Sequence, residues 1–132
     1  MDYEITIVGA GIVGSTLASL LAKQGVEVCL IDGQNPTKDN TIKLLGKTVA
    51  LNKASIDIMK DLLLWDHLKD RATAYKKICV WDSEGSTELE FLAKDIKERY
   101  LGFVVSSNLI LEEIFKSVEL SKKIEKKFNT KL

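Results

Sequence analysis

A glycine-rich hexapeptide near the start of the chain constrains the fold more than any other feature. Residues 9–14 read Gly-Ala-Gly-Ile-Val-Gly and fit the pattern G-x-G-x-x-G. The apolar run 3–8 precedes them, and an apolar pattern of helical period follows over 12–23. Residues 26–31 form a second apolar run of strand type, which ends in the acid Asp32. This order of strand, glycine turn, helix, strand and acid predicts a βαβ unit that binds a dinucleotide.

Each glycine of the hexapeptide has its own physical role. Gly9 permits the sharp turn from strand into helix, because glycine adopts backbone angles that other residues avoid. Gly11 lets the backbone approach a pyrophosphate, and Gly14 lets the helix lie close to the strands. The free N–H groups and the positive dipole end of the helix N-terminus suit phosphates. The predicted phosphate-binding residues are Gly9, Ala10, Gly11, Ile12, Val13 and Gly14.

Asp32 narrows the choice of dinucleotide. It lies eighteen residues beyond Gly14, close to the roughly 20 expected for the acid that binds the ribose. A carboxylate at this point accepts a hydrogen bond from a free 2′-hydroxyl and repels a 2′-phosphate. We therefore predict FAD or NAD rather than NADP.

The predicted first helix has two unlike faces. Ala10, Gly14 and Ala18 are spaced by four residues, so small residues run along one face. We predict that larger apolar residues on the opposite side enter the core, namely Val13, Leu17, Leu20 and Leu21.

A membrane-spanning segment is the alternative interpretation of the apolar stretch 5–22, which is nearly long enough to cross a bilayer. Its three glycines, Ser15 and Thr16 argue against a span, and so does the second strand that follows directly. No basic leader or small-residue cleavage site precedes it, so no secretion signal is predicted.

Composition excludes several classes of protein. A length of 132 residues predicts one domain at most, and 19 basic against 19 acidic residues give no indication of nucleic-acid binding. Cys29 and Cys79 lie in apolar runs and are predicted to be buried free thiols. Neither has a neighbouring Cys or His in metal-ligand spacing, so no metal site is predicted. No catalytic base or acid can be named.

The remaining elements follow from hydrophobic period and turn residues. Asn52 is a plausible N-cap for a helix. We predict, in chain order, a loop over 33–46, a brief strand or turn over 48–51, a helix over 54–69, a hairpin over 75–91, a strand over 101–105 and a helix around 110–118.

The character of the chain changes near residue 120. We predict a partial Rossmann-like domain over 1–119 and a charged C-terminal tail over 120–132. A solvated, frayed tail is one interpretation of the tail. A basic amphipathic surface helix that touches a membrane is the other.

Several blocks of residues carry a family resemblance over 3–118. The chain resembles the N-terminal third of the FAD-dependent aromatic hydroxylases of ubiquinone biosynthesis, relatives of p-hydroxybenzoate hydroxylase. The later blocks are more specific than the glycine motif and separate this family from nicotinamide dehydrogenases. The matching blocks are 7–14, 49–55, 64–66, 80–82 and 101–105.

The resemblance implies an α/β fold in which FAD lies along the Rossmann-like unit. It further implies a monooxygenase that uses NAD(P)H and O2 to hydroxylate a polyprenylated phenol. Such an enzyme is expected in the cytoplasm, with peripheral contact at the inner membrane as an open expectation.

The chain departs from the family pattern in three places. Lys47 stands near the position of a flavin-binding arginine; it keeps the charge but not the bidentate geometry, and it remains a predicted cofactor-binding residue. Ser106, Ser107 and Asn108 replace a Glu-Asn-Arg motif. The family's later Asp-Gly and Gly-Asp motifs are not found within residues 1–132, so we expect a fold incomplete for the family. Either this chain binds FAD weakly by itself, or it needs a second chain that carries the missing half.

Two other functions stay open at this point. Asp32 suits NAD as well as FAD, so the chain could be a fragment of an NAD-binding dehydrogenase. It could also be a non-catalytic Rossmann remnant, whose exposed strand edges would pair or aggregate.

Overall fold

The protein's structure is a computed structural model that describes residues 2–36, 46–85 and 87–130. Most of the predicted loop over 33–46 lies outside these residues. Short 3-10 turns cover Lys69–Arg71 and Ala93–Ile96. The helices and strands in chain order are β1 (Ile5–Val8), α1 (Ile12–Lys23), β2 (Val28–Asp32), β3 (Thr48–Asn52), α2 (Lys53–Asp61), α3 (Trp65–Leu68), β4 (Thr73–Tyr75), β5 (Lys77–Trp81), β6 (Glu88–Leu92), β7 (Gly102–Ser106), α4 (Ser107–Leu120) and β8 (Ile124–Phe128).

A parallel sheet forms the base of the fold. Its strand order is β1–β2–β8, with Ile5 opposite Val28 and Val28 opposite Ile124. Helix α1 contacts all three strands and packs against α4. Apolar side chains from the sheet and from both helices share one core with α2 and the second sheet. The predicted α/β fold with an N-terminal Rossmann-like βαβ unit is confirmed.

The apolar segment 5–22 does not form one helix. It divides into β1, the glycine turn and most of α1, which is 12 residues long. Among the helices that the structure describes, none combines the length and the apolar character needed to cross a bilayer. The membrane-span interpretation of this segment is therefore wrong.

The predicted charged tail contains a strand of the parallel sheet. Residues 124–128 form β8, which pairs with β2 along its whole length, and Ile124 is buried. The Val28 amide donates to the Lys123 carbonyl at 2.8 Å, and the Lys123 ammonium forms an ion pair with Glu27. Both interpretations of the tail, a frayed segment and a surface helix, are wrong for these residues.

Two apolar end residues and pairing with β2 explain how so charged a sequence becomes a strand. The strand I-E-K-K-F buries Ile124 among the core residues, and Phe128 packs against Phe115 with ring centroids 6.0 Å apart. Strand side chains point alternately to opposite faces, so Glu125 and Lys127 point away from the face of Ile124 and Phe128. Lys126 shares that face and is exposed. Pairing with β2 supplies the stability that the local sequence lacks.

Helix α1 packs through its face of small residues, and only part of the predicted apolar face reaches the core. Val13 is 81% exposed and Leu17 is 46% exposed, whereas Ser15 and Ala18 are fully buried. The reason is a close approach at Gly14, where an added Cβ would lie 1.8 Å from the carbonyl oxygen of Gly9. Only small side chains fit so near the strand. The prediction that Val13 and Leu17 enter the core is wrong, while Leu20 and Leu21 do pack against it.

A second, antiparallel sheet has the order β3–β7–β4. The helix that was predicted over 54–69 is interrupted beside this sheet, since α2 ends at Asp61 and α3 begins at Trp65. Leu63 has a left-handed φ of 59°, and the Leu64 amide donates to the Met59 carbonyl at 2.8 Å. This hydrogen bond ends the helix in the manner of a Schellman motif. Leu63 occupies the left-handed position where glycine is usual, so the sequence did not predict this helix end.

Asn52 caps α2 as predicted, because its Oδ1 accepts a hydrogen bond from the Ser55 amide at 2.9 Å. Asn52→Ala should lower the free energy of unfolding by about 1 kcal/mol, since it leaves that amide without its acceptor. Urea denaturation measures the change. Asn52→Asp keeps an acceptor and is the matched control. Equal stabilities of the two variants would contradict the capping role.

The predicted hairpin is confirmed as β5 and β6. Its register places Ile78 opposite Phe91 and Val80 opposite Leu89. All four side chains are exposed, so this two-stranded sheet has an apolar face at the surface.

Both cysteines are free as predicted; Cys29 is buried, and Cys79 on the hairpin is only partly buried.

Candidate cofactor-binding site

The glycine hexapeptide forms a tight bend between β1 and α1. Gly9 has a φ of +102°, a left-handed conformation that favours glycine, and its amide donates to the Ile31 carbonyl at 2.8 Å. Gly11 is the N-cap of α1, and because glycine has no side chain it cannot cap the amides of the first helical turn. The amides of 12–14 are those that a helix leaves without an intrahelical acceptor. The bend therefore presents a backbone surface suited to an anion.

Asp32 lies directly beside this bend. Its Oδ2 accepts a hydrogen bond from the Ala10 amide at 2.7 Å, and its Oδ1 accepts one from the Gln34 amide at 2.9 Å. The carboxylate thus joins the end of β2 to the glycine turn. The sequence predicted the position of this acid, but not its hydrogen bond to the turn.

Ser15 is a residue of α1 whose contact with the glycine turn the sequence did not predict. Its side chain is fully buried, and its hydroxyl donates to the Ala10 carbonyl at 3.0 Å. Ala10 is therefore held through both its amide and its carbonyl. The available signal was a small polar residue inside an otherwise small and apolar helix face.

Lys47 lies just before the second sheet. It immediately precedes β3, its side chain is exposed, and its carbonyl accepts a hydrogen bond from the Ser107 amide at 3.0 Å. Lys47 therefore connects the start of β3 to the N-terminus of α4. The structure brings Gly9–Gly14 and Asp32 together and ties Lys47 to the N-terminus of another helix.

A groove of about 260 Å³ runs along α4. It begins near the N-terminus of α4, the end to which Lys47 is tied. Pro36, which follows β2 by a few residues, contributes to its wall. The lining residues are Pro36, Asn108, Leu111, Glu112, Phe115, Lys116 and Glu119.

The hairpin register brings together three potential metal ligands that the sequence did not predict. The side-chain ligand atoms of Cys79, Glu88 and Glu90 lie within 4.8 Å of one another. Lys77 forms an ion pair with Glu90, so a positive charge already neutralises part of this cluster. Glu88 and Glu90 are two positions apart on β6, and the pairing of β5 with β6 brings Cys79 beside them.

The fold and the bend define a dinucleotide-binding protein. A family model described as an FAD binding domain matches residues 2–108. The chain therefore belongs to this FAD-binding family.

Curated relatives agree with the family. The chain is 29% identical over 125 residues to 3-demethoxyubiquinol 3-hydroxylase from Escherichia coli K12, a match that covers 92% of this chain and 31% of that protein. It is 32% identical over 111 residues to the ubiquinone hydroxylase UbiL from Rhodospirillum rubrum, covering 84% of this chain and 26% of that one. The chain spans at most about a third of the length of these relatives.

Solved structures of monooxygenases share the fold. PqsL, a probable FAD-dependent monooxygenase from Pseudomonas aeruginosa, matches with a TM-score of 0.68 at 20% identity, over 96% of this chain and 33% of that one. The p-nitrophenol 4-monooxygenase PnpA from Pseudomonas putida DLL-E4 matches with a TM-score of 0.69 at 18% identity, over 96% of this chain and 32% of that one. The prediction of a fold that is incomplete relative to its family is confirmed.

Proposed function

We propose that this chain is the FAD-binding part of a monooxygenase that hydroxylates polyprenylated phenols in ubiquinone biosynthesis, with NAD(P)H as reductant and O2 as oxidant. The observation that carries the proposal is the glycine bend with Asp32 bonded to it. The names of the two ubiquinone-hydroxylase relatives support the class of substrate. Because the chain spans about a third of those relatives, the complete reaction requires residues outside it.

The chain's own contribution is to bind and orient the cofactor. The amides at the start of α1 would donate to the diphosphate, and the helix dipole would favour its charge. A carboxylate offers about four lone-pair sites. Two bonds to the Ala10 and Gln34 amides leave Asp32 able to accept from a ribose hydroxyl. FAD, when bound, supplies the redox and oxygen chemistry.

We infer the cellular setting from the class of substrate. Polyprenylated phenols reside in lipid, so we place the protein in the cytoplasm with peripheral contact at the inner membrane. A second chain that carries the remaining two thirds of the family fold would complete the enzyme.

An NAD-binding dehydrogenase fragment is the second candidate. Asp32 favours it, because a carboxylate beside the bend suits the ribose of either cofactor. The family match to an FAD-binding domain is the reason to prefer FAD.

Titration with FAD tests the proposal, followed by the quenching of flavin fluorescence. We expect saturable binding and at least about tenfold weaker binding by Asp32→Ala, because a hydrogen bond to a charged group contributes roughly 1.5–3 kcal/mol. Asp57→Ala removes an exposed acid from α2 and should leave the affinity unchanged. Saturable NAD binding without preference for FAD would overturn the proposal in favour of the dehydrogenase.

A further inference from the structure

A cavity of about 390 Å³ lies at the base of the hairpin, where three segments of the chain meet. Residues 76–77 enter β5, residues 92–94 leave β6, and residues 98–99 precede β7. The Ala93 amide donates to the Lys76 carbonyl at 2.9 Å, and the Glu98 amide donates to the Ala93 carbonyl at 3.0 Å. Backbone hydrogen bonds therefore fix the walls of this cavity, which we call the basic pocket.

Most of the charged residues that line the basic pocket are cationic. They are Lys76, Lys77, Lys94, Glu98 and Arg99. The Glu98 carboxylate forms an ion pair at 2.7 Å with Lys53, which does not line the pocket. Lys77 forms an ion pair with Glu90. These two pairs neutralise the acid and one of the cations.

The other three cations of the basic pocket have no carboxylate partner. Lys76, Lys94 and Arg99 are exposed and form no ion pair with any residue of 2–36, 46–85 or 87–130. Lys76 Nζ lies 5.6 Å and Arg99 Cζ 5.1 Å from the ring centroid of Tyr100. One aromatic ring thus holds two like charges near each other. Like charges repel, so an anion among them would be stabilised by all three groups.

We propose that the basic pocket binds a phosphate group, borne by a small phosphorylated molecule or by a lipid headgroup. A phosphate monoester carries a charge of about −1.5 to −2 near neutral pH and three strong acceptor oxygens. The Arg99 guanidinium offers a planar fork that suits phosphate, and the ammonium groups of Lys76 and Lys94 supply point charges. A carboxylate carries a single charge and would leave more of the positive charge uncompensated.

The basic pocket shares no lining residue with the glycine bend or Asp32. The pocket lies between the hairpin and the segment that leads into the second sheet, whereas the bend opens from the parallel sheet. The inference therefore goes beyond the proposed function, and it does not depend on which dinucleotide the bend binds.

Titration of the isotope-labelled full chain with inorganic phosphate tests the basic pocket. The backbone amides are followed by NMR at constant ionic strength, because salt screens exposed charges. The amides of 93–100 report on the basic pocket, and those of 9–14 report on the glycine bend. Lys76→Gln combined with Lys94→Gln removes two cations of the pocket. Lys122→Gln combined with Lys126→Gln removes two exposed lysines beside and within β8, and is the matched control.

We expect saturable shifts of the 93–100 amides. The affinity for phosphate should fall about tenfold in the pocket double variant, because each exposed charge pair contributes a few-fold to affinity. The control double variant should bind as the parent does. Shifts confined to the amides of 9–14, or equal affinities of the two double variants, would overturn the proposal.

Vesicles distinguish the two sources of the phosphate group. The chain is sedimented with phosphatidylcholine vesicles that contain or lack phosphatidic acid. Sedimentation that requires phosphatidic acid, and that the pocket double variant loses, would assign the pocket to a lipid headgroup. Phosphate-dependent shifts without sedimentation would assign it to a soluble phosphorylated molecule. Both outcomes support a phosphate site, and FAD titration of the same variants keeps this test separate from that of the cofactor.

Discussion

Gly14→Ala should lower the free energy of unfolding by about 3 kcal/mol, the upper end of the usual cost of overpacking. The new Cβ would lie 1.8 Å from the Gly9 carbonyl oxygen, which is backbone and cannot rotate away. Either α1 moves off the strand or the bend opens, and both changes displace the amides that would bind a diphosphate. Urea denaturation and flavin fluorescence should therefore report a joint loss of stability and of FAD binding.

Gly11→Ser is the matched control for Gly14→Ala. An added Cβ at Gly11 meets no atom within 4 Å, and serine is a favourable N-cap, so stability should stay within about 0.5 kcal/mol. The side chain would nevertheless obstruct the close approach of a pyrophosphate, so FAD affinity should fall. If Gly14→Ala were as stable as Gly11→Ser, the close contact between α1 and β1 would be contradicted.

Truncation after Leu120 should unfold the protein. The deletion removes β8 and uncovers β2, whose Val28 and Leu30 side chains are fully buried. Each buried aliphatic side chain of this kind contributes roughly 1.5–3 kcal/mol, and a whole domain is stable by only about 5–15 kcal/mol. Loss of cooperative thermal unfolding, followed by circular dichroism, is the expected result.

Two single substitutions separate this effect from a general sensitivity of the C-terminal segment. Ile124→Ala truncates the buried residue of β8 and should cost about 2–5 kcal/mol. Lys126→Ala changes an exposed residue of the same strand and should fall within about 0.5 kcal/mol of the parent. A truncated chain as stable as the full one would show that residues 121–132 are the tail that the sequence suggested.

The glycine bend and the acid beside it were the predictable part of the candidate site. Gly9, Gly11 and Gly14 indicated a bend that opens a helix, and the acid Asp32 was expected beside it. These features follow from local backbone rules, since a left-handed residue and a helix N-terminus are decided within a few positions. The hydrogen bond from the Ala10 amide to Asp32 was not predictable, because it joins residues 22 positions apart.

The sequence by itself determined the βαβ unit, its glycine bend and the helix cap at Asn52, because each depends on neighbouring residues. The tertiary structure alone decided two features. Ile124 and its neighbours became a strand because β2 offered a pairing edge, and that edge is distant along the chain. Helix α1 buried its small face because the carbonyl of Gly9 lies so close to Gly14 that only small residues pack there. The distance between two backbone segments cannot be deduced from the pattern of hydrophobic residues.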